Sequence, residues 1–267
     1  GSPTVSRCTF QGNVSAGNGG GAWTGHDTDA TCTVPSAASF ENCQFMSNEG
    51  FNGGGLYNAL ETATALQSSA FYANIANFAS SGFPYYGGGG AVYSDHSHPT
   101  IMNCEFQGNS APNVGSPFGG VGGAIFGVES NPILSGCTFA ENFARYGGAM
   151  YHRENSNPLI TDCTFTGNIG LITGGGLYNS DSSPVLTSCS FLANRTADDC
   201  CGGGAMVNYG GGSQPLVTNC TFIGNVSSYG GAVHNVYTNV EARYSHCLFM
   251  GNVASKRGGA MNSSGVV

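Results

Sequence analysis

Ser156-Asn-Pro-Leu-Ile-Thr-Asp-Cys163 continues as Thr164-Phe-Thr-Gly-Asn168 and, after a short variable stretch, ends in Gly175-Gly-Leu-Tyr178. No part of this stretch carries apolar residues at helical spacing for a useful length. Pro and Gly interrupt it too often for a helix, whereas Cys163 and Phe165 stand two apart, as on one face of a strand. It therefore reads as three short strands: a proline strand (Pro-Leu-Ile-Thr), a Cys-x-Phe strand, and a glycine-led strand.

The same text recurs along the chain. Cys-x-Phe-x-x-Asn begins at Cys8, Cys43, Cys104, Cys137, Cys163, Cys189, Cys220 and Cys247, and a ninth copy begins with Ser69. The closing Asn is present every time: Asn13, Asn48, Asn74, Asn109, Asn142, Asn168, Asn194, Asn225 and Asn252. The shortest spacing is 26 residues. Self-similarity at such a period signals a stacked array, and short strands exclude helical repeats. The expected fold is all-β: a right-handed, single-stranded parallel β-helix of about nine rungs, each of three short strands. It is expected to form one domain over residues 1–267. Because the chain enters and leaves in mid-repeat, it is read as a segment of a longer protein.

Alternation assigns the faces. Cys and Phe sit two apart and share the interior. Three residues before the Cys lies a second interior column: Val5, Phe40, Leu66, Ile101, Leu134, Ile160, Leu186, Val217 and Tyr244. The bend between them falls on residues that tolerate a left-handed backbone, such as Asn42, Asn103, Gly136, Asp162 and Asn219. In the glycine-led strand the expected interior residues are Trp23, Tyr57, Val92, Ile125, Met150, Tyr178, Met206, Val233 and Met261. One rung cannot bury these groups alone. Nine rungs stacked at about 4.8 Å bury them in columns about 43 Å long, with the Asn side chains expected to form an amide ladder.

Composition agrees. Only 8% of residues are charged, 44 are Gly, and 40% are apolar, a combination of turns and core that disorder does not show. The net charge is −8, from 7 basic and 15 acidic residues, so the basic stripe that nucleic acid or an anionic membrane would need is absent. No apolar run reaches the length of a membrane span, so this segment is not expected to insert into a membrane.

Phe-x-x-Asn paired with Gly-Gly-Ala-aliphatic, as in Gly230-Gly-Ala-Val233, resembles the repeat of the chlamydial polymorphic outer-membrane proteins. More widely it is similar to bacterial right-handed β-helix surface proteins. Met often stands where those repeats carry an aliphatic, as at Met150. The resemblance covers the whole chain. It implies an exported passenger segment, extracellular or at the cell surface and adhesin-like, that meets a glycan or a surface protein of another cell through its non-repeating loops.

There are 11 Cys. Eight lie in the interior column, side by side and pointing in parallel, so they are expected to be free thiols acting as small apolar groups. The other three, Cys32, Cys200 and Cys201, lie in loops and are candidates for a disulfide rather than a metal site. No metal or cofactor is expected.

Chemistry must sit on outward residues. Tyr93, Phe126 and Tyr151 form an aromatic run on successive glycine-led strands, with Asp95, His152 and Arg153 beside it. Long loops at 75–86 and 110–121 are expected to wall a groove. These six residues are the candidate ligand-binding set. The alternative to binding is a simple aromatic ladder that stabilises the sheet. Catalysis is not the favoured reading. If it occurs, a polysaccharide lyase or glycoside hydrolase is expected, with Arg153, Asp181 and Glu154 as candidates. An Arg153–Asp181 surface ion pair is the plainer account of those charges. A third reading is ice binding, from paired hydroxyls at Ser135/Thr138, Thr161/Thr164, Thr187/Ser190 and Thr218/Thr221. Asn194 and Asn262 begin glycosylation sequons, and so do the ladder residues Asn13 and Asn225.

Overall fold

The computed structural model describes residues 2–25, 37–60, 62–77, 87–112, 119–198, 202–237 and 239–264. Among these, short strands stack into four wholly parallel sheets, three of nine strands and one of eight. One rung shows the plan. Leu159–Thr161 is the proline strand, Thr164–Thr166 the Cys-x-Phe strand, Ile169–Thr173 a strand after the Asn, and Leu177–Ser180 the glycine-led strand. Each pairs only with its counterparts in the rungs above and below: Ile160 sits between Leu134 and Leu186, and Phe165 between Phe139 and Phe191. The chain is a right-handed parallel β-helix, the hand expected when parallel strands are joined by successive crossovers.

The fourth sheet corrects the three-strand expectation. It begins right after each ladder Asn, as at Phe143–Tyr146 and Val226–Tyr229. Its interior residues are small (Ala76, Ala111, Ala144) and make a separate minor core. Small, non-repeating residues leave no alternating apolar signature, so the stretch looked like loop.

Four corners turn the chain in the rung described above, and all four use left-handed backbone. They fall at Asp162, Gly167, Gly174 and Asp181, with φ of 52°, 63°, 64° and 48°. The bend residues Asn42, Asn103, Gly136, Asp162 and Asn219 all take positive φ as expected. At Gly147, φ is 63° and an added Cβ would collide with the carbonyl of Met150. Glycine is required there on both counts.

Inside, repetition becomes energy. The Phe rings form one stack from Phe10 to Phe249; Phe139 and Phe165, for example, lie 4.8 Å apart and 6° from parallel. The Asn column is a continuous amide ladder. Asn168 Nδ2 donates to Asn194 Oδ1 at 2.9 Å and to the Phe139 carbonyl at 2.9 Å. Asn168 Oδ1 in turn accepts from the backbone N–H and Nδ2 of Asn142. The interior cysteines Cys43, Cys104, Cys137, Cys163, Cys189 and Cys220 are free and buried. Cys104 and Cys163 are hydrogen bonded to Cys137 and desolvated by burial, and both effects hold their thiols above the usual range. Ser69 fits the same column: it accepts from the Cys43 N–H at 3.0 Å and donates to the Gln67 carbonyl at 3.0 Å. Cys32, Cys200 and Cys201 lie outside the described residues.

Register also corrects three interior assignments. Leu56 pairs with Val92, and Leu177 with Met150, so Tyr57 and Tyr178 fall in line with Tyr93 and Tyr151 on the outer face. Trp23 pairs with Tyr57 and is 44% exposed. In Gly-Gly-Gly-Leu-Tyr rungs the third Gly takes the place of Ala, and the whole string shifts by one residue. In a strand, that slip exchanges the two faces.

Candidate functional site

The glycine-led sheet has the most varied outer face. Its core side carries Val92, Ile125, Met150, Leu177 and Met206, all buried. Its outer side carries Tyr57, Tyr93, Phe126, Tyr151 and Tyr178, and these form a second apolar cluster with Ala59, Val121 and Val207. The rings pack on one another along the column. Tyr57 stacks on Tyr93 at 5.0 Å, Tyr93 meets Phe126 edge-on at 4.9 Å, and Phe126 stacks on Tyr151 at 5.3 Å. The aromatic run is thus a cross-strand ladder whose faces are largely occupied, and Phe126 is fully buried.

A cleft of about 440 Å³ opens over the first part of this ladder. Tyr57, Tyr93 and Phe126 contribute its aromatic lining, Asp95, Val128, Arg153 and Glu154 come from the far end of the strands, and Asn18, Phe51 and Asn52 from the turns that precede them. Those turns are tied together: Phe51 N–H donates to the Gly17 carbonyl, and Asn52 Nδ2 to Asn18 Oδ1 at 3.1 Å. Asn52 Oδ1 then accepts from the Gly88 N–H at 3.1 Å, linking the next rung.

The charged groups are held in place. Asp95 Oδ2 accepts from Tyr57 Oη at 3.0 Å, and its Oδ1 lies 2.6 Å from His96 Nδ1. His96 Nε2 reaches Glu129 Oε1 at 3.2 Å. The hydrogen bond to Asp95 raises the His96 imidazole above its ordinary value; the Asp95 and Glu129 charges add to this, against a burial effect of opposite sign. Burial, reinforced by the Asp95 charge, pushes the Tyr57 phenol upward. Arg153 forms an ion pair with Glu154. His96, Glu129 and Glu154 occupy corner positions with φ of 48°, 44° and 57°. Glycine or asparagine suits such positions better, so the charged residues there stand against backbone preference.

Of the expected ligand-binding set, the cleft brings together Tyr93, Asp95, Phe126 and Arg153, and Glu154 joins them. Tyr151 lies one rung along the ladder, beyond the lining. His152 does not belong to the outer face at all: it points into the coil between Gly127 and Asn179 and is fully buried. Alternation dictates this once Tyr151 and Arg153 face outward. Asp181 lies outside the lining, against Gly210. Much of the two loops expected to wall the groove, 78–86 and 113–118, falls outside the described residues. Sequence reasoning missed Asn18, Phe51, Asn52 and Tyr57. Three of them sit in turns without a repeat, and Tyr57 was placed on the wrong face by the one-residue slip.

Other outward features resolve as follows. The hydroxyl columns at Thr161 and Thr164 belong to two different sheets, separated by the corner at Asp162. Asn194 and Asn225 are fully buried in the amide ladder, which removes Asn194 as an accessible sequon. Among the described residues, no group of three or more His, Cys, Asp or Glu side chains is placed to hold a metal ion.

Stacked parallel rungs, an amide ladder and an outer cleft define a parallel β-helix solenoid. The family model of the right-handed β-helix region matches residues 1–265, and the chain belongs to that family. No curated protein and no solved structure matches the chain significantly.

Proposed function

We propose that this protein is a non-enzymatic, surface-displayed or secreted β-helix segment that binds a glycan in the cleft above the glycine-led sheet. The observation that carries this reading is the cleft itself, an aromatic floor with carboxylate, guanidinium and amide groups converging on its rim. Because the ladder occupies the ring faces, what Tyr57 and Tyr93 leave open to a ligand is chiefly ring edge. Ring edges carry partial positive charge and suit sugar oxygens. Similarity of the repeat to chlamydial passenger segments supports surface display.

Binding is favoured over hydrolysis because the two lining carboxylates are already engaged. Asp95 accepts from Tyr57 and lies against His96, and Glu154 pairs with Arg153. A glycosidase needs one carboxyl free to deliver a proton and a second to assist from the opposite side. A glycan array with the wild-type protein and the Phe51→Ala variant tests the proposal. Retention of selected oligosaccharides by the wild type, weakened about tenfold in the variant, is expected. Equal binding by both proteins, or release of shortened sugars from the array, would overturn it.

A further inference from the structure

The lining and its border carry three carboxylates, Asp95, Glu129 and Glu154, against two cationic groups, Arg153 and His96. Both cations are spent on those carboxylates. Arg153 is closed onto Glu154, and His96 bridges Asp95 and Glu129. An incoming carboxylate or sulfate would have to displace an acidic partner to reach either one. The whole molecule adds to this local bias, with a net charge of −8. Fields of one sign over a cleft slow and weaken the approach of ligands of the same sign.

The remaining groups suit an uncharged ligand. The Asn18–Asn52 pair offers amide donors and acceptors at one end of the cleft. Tyr57 Oη and Asp95 offer a hydroxyl and a fixed acceptor in the middle, and Phe51 and Val128 give apolar patches for the C–H faces of a sugar ring. A carboxylate already oriented by other donors is a good acceptor for sugar hydroxyls, because its charge is placed and needs no reorganisation.

We infer that the cleft selects neutral oligosaccharides and rejects uronate-containing or sulfated ones. The inference rests on the glycan reading above and narrows it to a ligand class.

Titration calorimetry with two sets of probes tests it. Neutral hexasaccharides of glucose, mannose and galactose form one set, and hexagalacturonate is the acidic probe. Wild-type protein is expected to bind at least one neutral probe and to bind hexagalacturonate at least about tenfold more weakly. Raising the salt to about 0.5 M should narrow that gap, because screening shortens the reach of the carboxylates. The Glu154→Gln variant removes one negative charge and the carboxylate paired with Arg153, so it should gain affinity for hexagalacturonate while keeping its circular dichroism spectrum. Tighter binding of hexagalacturonate than of every neutral probe by the wild type would overturn the ligand class and leave glycan binding standing. Absence of heat with both sets would remove the glycan reading and this inference together.

Discussion

Asn168 shows what one repeated side chain does. Its Nδ2 serves two acceptors, and its Oδ1 serves two donors from Asn142. Replacing it with Ala strands buried partners on both sides, and each unsatisfied group costs about 1–3 kcal/mol. Asn168→Ala is therefore expected to lower the unfolding free energy by several kcal/mol in denaturant titration. Cys163→Ser should change it by less than about 1.5 kcal/mol, because Ser69 already makes the same bonds in the same column. His152 is the opposite case, a side chain that breaks a ladder. Thr24, Asn58 and Ser94 are linked along the inner end of the glycine-led strands, and Asn179, Asn208 and Asn235 are linked further on. Between them both ring nitrogens of His152 and Oδ1 of Asn179 are buried without a partner. Burial lowers the His152 imidazole to about 3, and His234 to about 4. Unfolded imidazoles titrate near 6.5, so the unfolded chain takes up protons first as pH falls. The contribution of these two histidines to stability is complete above about pH 6.5 and declines below it, by at most about 1.4 kcal/mol per pH unit per histidine. Unfolding followed at pH 7 and pH 5 should show this loss, and His152→Asn should reduce it while donating to Asn179. An unchanged pH slope in the variant would contradict the account of His152.

At the scale of the strand, legibility follows from how strictly a position repeats. Cys-x-Phe strands were assigned correctly because both residues must fit a column of identical neighbours. Phe165 is sealed between Phe139 and Phe191, and truncating it to Ala should cost about 3–5 kcal/mol. Glycine-led strands were harder. Gly174-Gly-Gly-Leu-Tyr178 and Gly147-Gly-Ala-Met150 can be aligned by their last glycine or by their first, and only the backbone register chooses the first. The interior needs one aliphatic there, and Leu177 supplies it; Tyr178 then has to face outward. Strands after the ladder Asn were not legible at all. Their inward residues are small (Ala76, Ala111, Ala144, Gly170, Thr196 and Ser227), and such residues fit any loop as well as they fit a narrow corner of the coil. The cleft was half legible: Tyr93, Asp95, Phe126 and Arg153 follow from alternation along known strands. Asn18, Phe51 and Asn52 come from turns of the first two rungs, and no periodicity points to them.

Among the described residues the molecule is a stack in which each strand pairs only with its counterparts in adjacent rungs. Stability in such an array is a sum of rung and interface contributions, so damage in a middle rung weakens two interfaces and damage in an end rung weakens one. End rungs are also more open. Cys8 is exposed and Cys247 half-buried, whereas Cys43 through Cys220 are buried. Thiol labelling of the native protein, read by peptide mapping, should modify Cys8 first among the eight column cysteines and leave Cys137, Cys163 and Cys189 untouched until the coil opens. Labelling of the central cysteines at the rate of Cys8 would argue against a closed interior. The same division of labour separates structure from function: repeated side chains fill the coil, and the cleft is built from outward residues that do not repeat. Hydrogen exchange on the protein with and without a bound neutral hexasaccharide tests that division most directly. Added protection should be confined to 17–19, 51–58, 93–96, 126–129 and 151–154, on the outer side of the glycine-led sheet. Protection centred on the proline or Cys-x-Phe sheets, with those segments unchanged, would contradict it.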